Sequence, residues 1–138
     1  MPNFPIKGTQ YTELGDHRHM QTDITISNNG RLDATTKTVT GKKWQGFHGS
    51  VKVFINDADK NILWATEQDH TFGVDGVSVG DPSRTDHWHE DIPQEFLDKI
   101  DHYAIFHDTT KITVLNPDTI GEWSRAIAPI IKAFSESQ

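Results

Sequence analysis

Residues 44–65 read WQGFHGSVKVFI, then NDADKN, then ILWA, and this stretch has the clearest local pattern in the chain. Successive side chains of a strand point to opposite faces. One face would carry Phe47, Gly49, Val51, Val53 and Ile55, and the other His48, Ser50, Lys52 and Phe54. The polar cluster at 56–61 predicts a chain reversal. We therefore expect a β-hairpin that is central to a sheet, because Phe54 makes the second face partly apolar.

The same alternation continues on both sides of this hairpin. Residues 20–26 and 31–40 flank Asn28-Asn29-Gly30, which is a strong signal for a tight hairpin turn. Further strands are expected within 72–80, 85–92, 101–108 and 111–115. About seven or eight short strands with regularly spaced turns are typical of an antiparallel β-sandwich. The fold class predicted is therefore mainly β.

Residues 88–105 resemble, in residue type, the E–F corner of immunoglobulin-like domains. The residues that carry the resemblance are Trp88, Ile92, Pro93, Phe96, Ile100, Tyr103, Ala104 and Ile105. The resemblance implies an immunoglobulin-like or similar sandwich and covers no more of the chain than this run.

A chain of 138 residues predicts one domain. We expect an extended N-terminal arm over 1–16, the sandwich over 17–116 and a C-terminal amphipathic helix over 117–138. The helix would carry an apolar stripe, and Pro129 would kink or divide it. The stripe consists of Ile120, Trp123, Ile127, Ile130, Ile131 and Phe134. It would pack on its own sheet by default, or on a partner, where it could support a homo-oligomer.

Composition narrows the function classes. The absence of cysteine excludes disulfides, iron–sulfur clusters and a cysteine nucleophile. A formal net charge of −7 argues against a nucleic-acid partner. No apolar run is long enough to span a membrane, and the N-terminus lacks the pattern of a signal peptide. We expect a cytoplasmic protein, with a mature secreted chain as the alternative.

Histidine is unusually frequent, with eight residues in the chain. His87-Trp88-His89 and His17-Arg18-His19 would each place two imidazoles on one face of a strand, as a zinc or iron site requires. The metal-dependent enzyme that this suggests would use His87, His89 and a third ligand, for which we choose His107 over His48, His70 and His102. However, a core-facing Trp88 would leave His87 and His89 on a solvated face. We therefore expect no cofactor, and zinc is the alternative.

The polar turn at 57–61 has the Asp-x-Asp-x-Asn opening of a calcium loop, but the glycine and glutamate that such a loop needs later are missing. A plain hairpin turn fits it better. Residues 83–87 bring serine, aspartate and histidine together, which a polar turn explains more simply than a catalytic triad.

The leading hypothesis is a non-catalytic binding or protein-interaction module. Loops gather at the ends of a sandwich and commonly carry binding residues. We expect the ligand, a protein, small molecule or carbohydrate, to contact loops at one end. The candidate ligand-binding residues are Trp44, Phe72, Asp75, Arg84 and Asp86.

Overall fold

A computed structural model describes residues 4–15, 17–41, 47–74, 83–109 and 119–136, and these form two antiparallel sheets. The strands are β1 (Ile6–Gly15), β2 (Arg18–Ile26), β3 (Arg31–Thr40), β4 (Phe47–Asn56), β5 (Ile62–Ala65), β6 (His70–Val74), β7 (Ser83–Asp91), β8 (His102–Asp108), β9 (Lys132–Ala133) and β10 (Ser135–Glu136). One α-helix, α1 (Ile120–Ile127), and 3₁₀ turns at Gln94–Lys99 and Ala128–Ile130 complete the described elements. The predicted β-sandwich is confirmed.

The two sheets have simple strand orders. The first sheet runs β10-β1-β2-β3-β7, and the second runs β5-β4-β8-β9 with β6 also paired to β4. Because β1, β2 and β3 are neighbours in both sequence and space, the order differs from the A-B-E-D sheet of immunoglobulin domains. The predicted strands at 20–26, 31–40, 85–92 and 101–108 correspond to β2, β3, β7 and β8. The strand predicted at 111–115 lies outside the described residues.

The central hairpin forms as predicted. β4 pairs with β8 along one edge and with both β5 and β6 along the other. Val51, Val53 and Ile55 belong to the core between the sheets. Phe54 is fully buried on the opposite face, against Ile127 of the helix. The second face of β4 is therefore a second, smaller core.

Residues 6–15, which the sequence predicts as part of an extended arm, form the strand β1 instead. β1 pairs with β2 from Ile6 to Gly15 and, at its start, with β10. Between the inward residues Ile6 and Leu14, the inward positions hold Gly8, Gln10 and Thr12 in place of large apolar residues, so the alternation is hard to see in the sequence. Gly8 is needed there because a Cβ would lie 2.5 Å from the ring of Tyr103.

The C-terminal segment is an α-helix only over Ile120–Ile127, and the expectation of one helix over 117–138 is wrong. Pro129 divides the segment, and the chain then crosses from one sheet to the other as β9 and β10. Trp123 lies 5.2 Å from the Phe54 ring between centroids, so the helix packs on its own sheet. Phe134 packs instead on Tyr103, in the core between the sheets.

Candidate functional site

Three of the five residues predicted to bind a ligand lie together. The guanidinium of Arg84 on β7 lies 5.6 Å from the ring centroid of Phe72 on β6, and it forms two 2.7 Å hydrogen bonds to the Asp86 carboxylate. Arg84 also donates to the carbonyl of Gly73 at 3.2 Å. These contacts join the first sheet to the second. Trp44 and Asp75 lie outside the described residues.

A second arginine makes the same kind of contact at the same end of the sandwich. Arg18, the first residue of β2, lies over the ring of Phe47 on β4 at 5.4 Å. We call this end the Arg18 end, defined by the strand ends Gly15, Arg18, Phe47, Val74 and Ser83. The opposite end, which carries the turns at 27–30 and 57–61 and the segment 92–101, is the hairpin end.

A pocket of about 530 Å³ lies at the corner of the first sheet at the Arg18 end. We call it the Arg18 pocket. Its described lining comes from the ends of β1, β2 and β3 and the turn between the first two strands. The lining residues are Glu13, Gly15, His17, Arg18, His19, Val39 and Gly41.

The backbone shapes this pocket. The pairing of β1 and β2 shifts register between Glu13 and Gly15, and Gly15 has a φ of 81°. His17 is also left-handed, with a φ of 62°, and its carbonyl accepts a 2.7 Å hydrogen bond from the amide of Gly41. A left-handed residue other than glycine costs on the order of 1 kcal/mol. His17 is therefore held at the pocket rim by its neighbours and lies outside β2. The prediction that His17 and His19 share one face of a strand is wrong.

An exposed aromatic ring borders the pocket on the outer face of the first sheet. Tyr11 is 48% exposed, and its ring lies 5.2 Å from that of His19 between centroids. Tyr11, Gln21 and Lys37 are directly paired across β1, β2 and β3. Lys37 therefore lies on the same face as Val39 of the pocket, one pleat away. Tyr11 was missed because its strand was predicted as an arm.

The hairpin end also has a pocket, but with the opposite charge. Its described lining includes four aspartates, Asp57, Asp59, Asp98 and Asp101, and one lysine, Lys99. The Asp57 carboxylate accepts hydrogen bonds from the backbone amides of Asp59 and Asn61. The bond from Asn61 is the main cause that lowers the pKa of Asp57. This carboxylate stabilises its own turn, as the reading of 57–61 as a plain hairpin turn expects.

The structure does not bring together the three histidines predicted for the metal site. His87 and His89 are exposed on the outer face of β7, where His87 Nδ1 lies 3.0 Å from the hydroxyl of Thr35. His107 is 5% exposed and faces the interior between the sheets. The first sheet therefore separates His107 from the pair. Within the described ranges, no group of three histidine, aspartate or glutamate side chains is arranged to hold a metal ion.

His107 belongs to a buried row of hydroxyl groups. Its Nδ1 lies 2.8 Å from Thr12 Oγ1, and its Nε2 lies 2.8 Å from Thr22 Oγ1. Thr22 Oγ1 lies 3.0 Å from Thr36 Oγ1, and Thr36 Oγ1 accepts a 3.0 Å hydrogen bond from the indole N–H of Trp88. Burial lowers the pKa of His107 from 6.5 to about 4, so the ring is neutral. The row fixes the core and presents no imidazole to solvent.

A second buried histidine has a carboxylate partner. His70 Nε2 lies 2.5 Å from Glu90 Oε2, and both side chains are buried. Glu90 also accepts the amides of Glu67 and Gln68, while the ring of His70 stacks on Trp88 at 3.8 Å. Alternation with Trp88 places Glu90 on the inner face of β7, and a charged residue at an inward position is the signal that sequence reasoning overlooked.

Comparison with protein-family models, curated proteins and solved structures finds no match to this chain. Among the described residues, no helix combines the length and apolar character that crossing a membrane requires.

Proposed function

We propose that the chain is a small, non-catalytic binding module that holds its ligand in the Arg18 pocket. The observation that carries this proposal is the pocket at the Arg18 end, whose rim residue His17 has a left-handed backbone. Strained residues persist where the surroundings over-determine them, and they cluster at ligand sites. A simple turn between β1 and β2 would favour glycine or asparagine at this position.

Size and location support the same proposal. A volume of about 530 Å³ falls within the range typical of small-molecule sites. The pocket lies at the end where the candidate ligand-binding residues Phe72, Arg84 and Asp86 meet. Its described lining has no serine, threonine, cysteine or lysine.

The test replaces His17 with glycine, which keeps the left-handed backbone and removes the imidazole. Lys60 is the matched control, because it has a φ of 68° in the turn at the hairpin end. Both His17→Gly and Lys60→Gly should leave the free energy of unfolding within about 1 kcal/mol of the wild type. Only His17→Gly should weaken ligand binding.

Binding is measured by ligand-observed NMR with a set of neutral sugars, amino acids, carboxylic acids and sugar phosphates. We expect at least one compound to bind the wild type and Lys60→Gly but not His17→Gly. If no compound binds, or if all binders bind His17→Gly equally well, the proposed function is wrong.

A further inference from the structure

We propose that the free edge of β5 is a docking site for an extended, basic peptide segment of a partner protein, separate from the Arg18 pocket. A groove of about 490 Å³ follows this edge, and we call it the β5 groove. One wall is formed by residues 63–67. The other wall includes Pro93, Glu95 and Phe96, from the segment that follows β7. The backbone, an unpaired indole N–H and the charge of the groove together indicate the class of partner.

The walls of the β5 groove are mainly apolar. Leu63 and Phe96 are half-buried and pack against the core between the sheets. Trp64 and Ala65 are buried, and Pro93 adds a further apolar surface. An apolar side chain that displaces water from such a groove gains free energy in proportion to the area that it buries. We therefore expect one apolar side chain of the peptide to lie in the groove.

The backbone of β5 offers hydrogen bonds to an added strand. β5 pairs with β4 along one edge, and no described strand pairs with its other edge. The amide of Thr66 donates to the carbonyl of Val53 on β4 at 3.0 Å. Because successive residues of a strand point their backbone groups to opposite sides, the amide and carbonyl of Ala65 point to the free edge. An extended peptide can pair with both groups, as in strand addition to a sheet edge.

The groove also has a buried donor without an acceptor. Trp64 is 7% exposed, and its indole N–H has no hydrogen-bond partner among the described residues. The indole N–H of Trp88, by contrast, donates to Thr36. A buried donor that is left unpaired costs free energy, which is recovered when an occupant brings an acceptor within reach. The unpaired N–H therefore favours an occupant that carries backbone carbonyls over a purely apolar one.

The charge of the groove favours a basic peptide. Its described lining has two exposed carboxylates, Glu67 and Glu95, and no basic residue. The buried ammonium of Lys52 offsets part of the Glu67 charge, and its own contact is with the carbonyl of Thr66. Lys99, which belongs to the same 3₁₀ turn as Glu95, lines the pocket at the hairpin end instead. The groove therefore keeps a negative charge, which a lysine or arginine beside the apolar side chain would complement.

The experiment uses a capped pentapeptide with leucine at its centre, valine on each side of the leucine and lysine at each end. Binding is followed through the tryptophan indole signals in heteronuclear NMR spectra, assigned with Trp64→Phe and Trp88→Phe. We expect a saturable downfield shift of the Trp64 indole proton, which gains an acceptor, and an unchanged Trp88 signal. Replacing the leucine by alanine, or both lysines by glutamates, should weaken binding at least about fivefold. Methylating the valine amides should abolish binding.

Protein variants locate the site. Glu95→Gln should weaken the lysine peptide about threefold, because it removes an exposed charge. Its control is Asp98→Asn, since Asp98 lies on the same 3₁₀ turn but lines the pocket at the hairpin end. Leu63→Ala should weaken the peptide about fivefold through lost apolar contact. Its control is Ile62→Ala, because Ile62 is the preceding residue of β5 but packs on the smaller core with Phe54.

An unchanged Trp64 signal at millimolar peptide would overturn the inference. Equal binding of the lysine and glutamate peptides, or equal effects of Glu95→Gln and Asp98→Asn, would also overturn it. If Leu63→Ala fails to fold, the peptide series and Glu95→Gln decide the question. The amide signals of Gly15 and Gly41 should not shift with this peptide, so the β5 groove is judged separately from the Arg18 pocket. Shifts of these two signals in place of the Trp64 signal would contradict the proposed location.

Discussion

At the hairpin end the Tyr103 hydroxyl accepts the amide of Thr9 and donates to its carbonyl, while its ring lies against Gly8. At the Arg18 end the corresponding contacts are made by charged side chains, because Arg18 and Arg84 reach from one sheet to phenylalanine rings of the other. The first arrangement is buried and self-contained. The second leaves guanidinium groups beside solvent.

The pockets of the two ends differ in the same way. At the hairpin end the Asp57 carboxylate is used by the backbone of its own turn. At the Arg18 end the pocket is lined by side chains from three strands, and one of its residues, His17, is held in a left-handed conformation. The comparison teaches that pockets of similar volume can be lined differently: four aspartates, of which Asp57 bonds its own turn, line one pocket, and residues from the ends of three strands line the other.

Alanine substitutions of one glycine at each end should differ most in their effect on the free energy of unfolding. Gly8→Ala would place a Cβ 2.5 Å from Tyr103 Cζ, so the ring must move and its two hydrogen bonds to Thr9 must weaken. We expect a loss of about 4 kcal/mol in the free energy of unfolding. Gly15 has a φ of 81°, and a Cβ added there would meet no atom within 4 Å. Gly15→Ala should therefore lower the free energy of unfolding by about 1 kcal/mol, through backbone strain alone.

Urea unfolding of both variants at pH 7.5 measures the difference. Equal losses for Gly8→Ala and Gly15→Ala would mean that the hairpin end is not held by the Tyr103 contact. The ligand should still bind Gly8→Ala wherever that variant is folded, because the contact lies far from the Arg18 pocket.

The next effect concerns His107, which lies in the half of the core nearer the Arg18 end. Burial lowers its pKa from 6.5 to about 4, so between these values the unfolded chain binds a proton that the folded chain refuses. Its neutral form therefore favours folding fully above pH 6.5, and this contribution is lost as the pH falls toward 4. The full loss is about 3 kcal/mol.

His107→Gln removes this titration and retains a polar side chain for Thr12 and Thr22. The free energy of unfolding should fall between pH 7.5 and pH 4.5 by about 2 kcal/mol more in the wild type than in His107→Gln. A His48→Gln variant, which changes an exposed histidine of the same sheet, should keep the wild-type dependence on pH. If His107→Gln also keeps it, the acid sensitivity has another origin.

The sequence predicts the strands whose inward residues are apolar, and it fails where they are not. β2, β3, β4 and β8 alternate visibly, whereas the middle inward positions of β1 carry Gly8, Gln10 and Thr12. The contact of Gly8 with Tyr103 and the hydrogen bond of Thr12 to His107 explain two of these. The C-terminal stripe has helical spacing, yet Pro129 ends the helix and the following residues pair with both sheets.

The candidate site shows the same limit. Residue types and turn signals indicated one end of the sandwich, and Phe72, Arg84 and Asp86 do meet there. The Arg18 pocket was not foreseen, because it depends on the left-handed φ of His17 and on a register shift that no residue pattern reveals. The His-x-His pairs were misleading, since sequence spacing does not say on which side of a sheet a third histidine lies.

The most direct test of the central claim follows glycine amide signals during a titration with a compound that the NMR screen finds to bind the wild type. Gly15 and Gly41 line the Arg18 pocket, whereas Gly30 lies in the turn at the hairpin end. We predict saturable shifts of the Gly15 and Gly41 signals with the Gly30 signal unchanged. Shifts of Gly30 alone, or no shift of Gly15 and Gly41 at saturating ligand, would contradict the central claim that the ligand site lies at the Arg18 end.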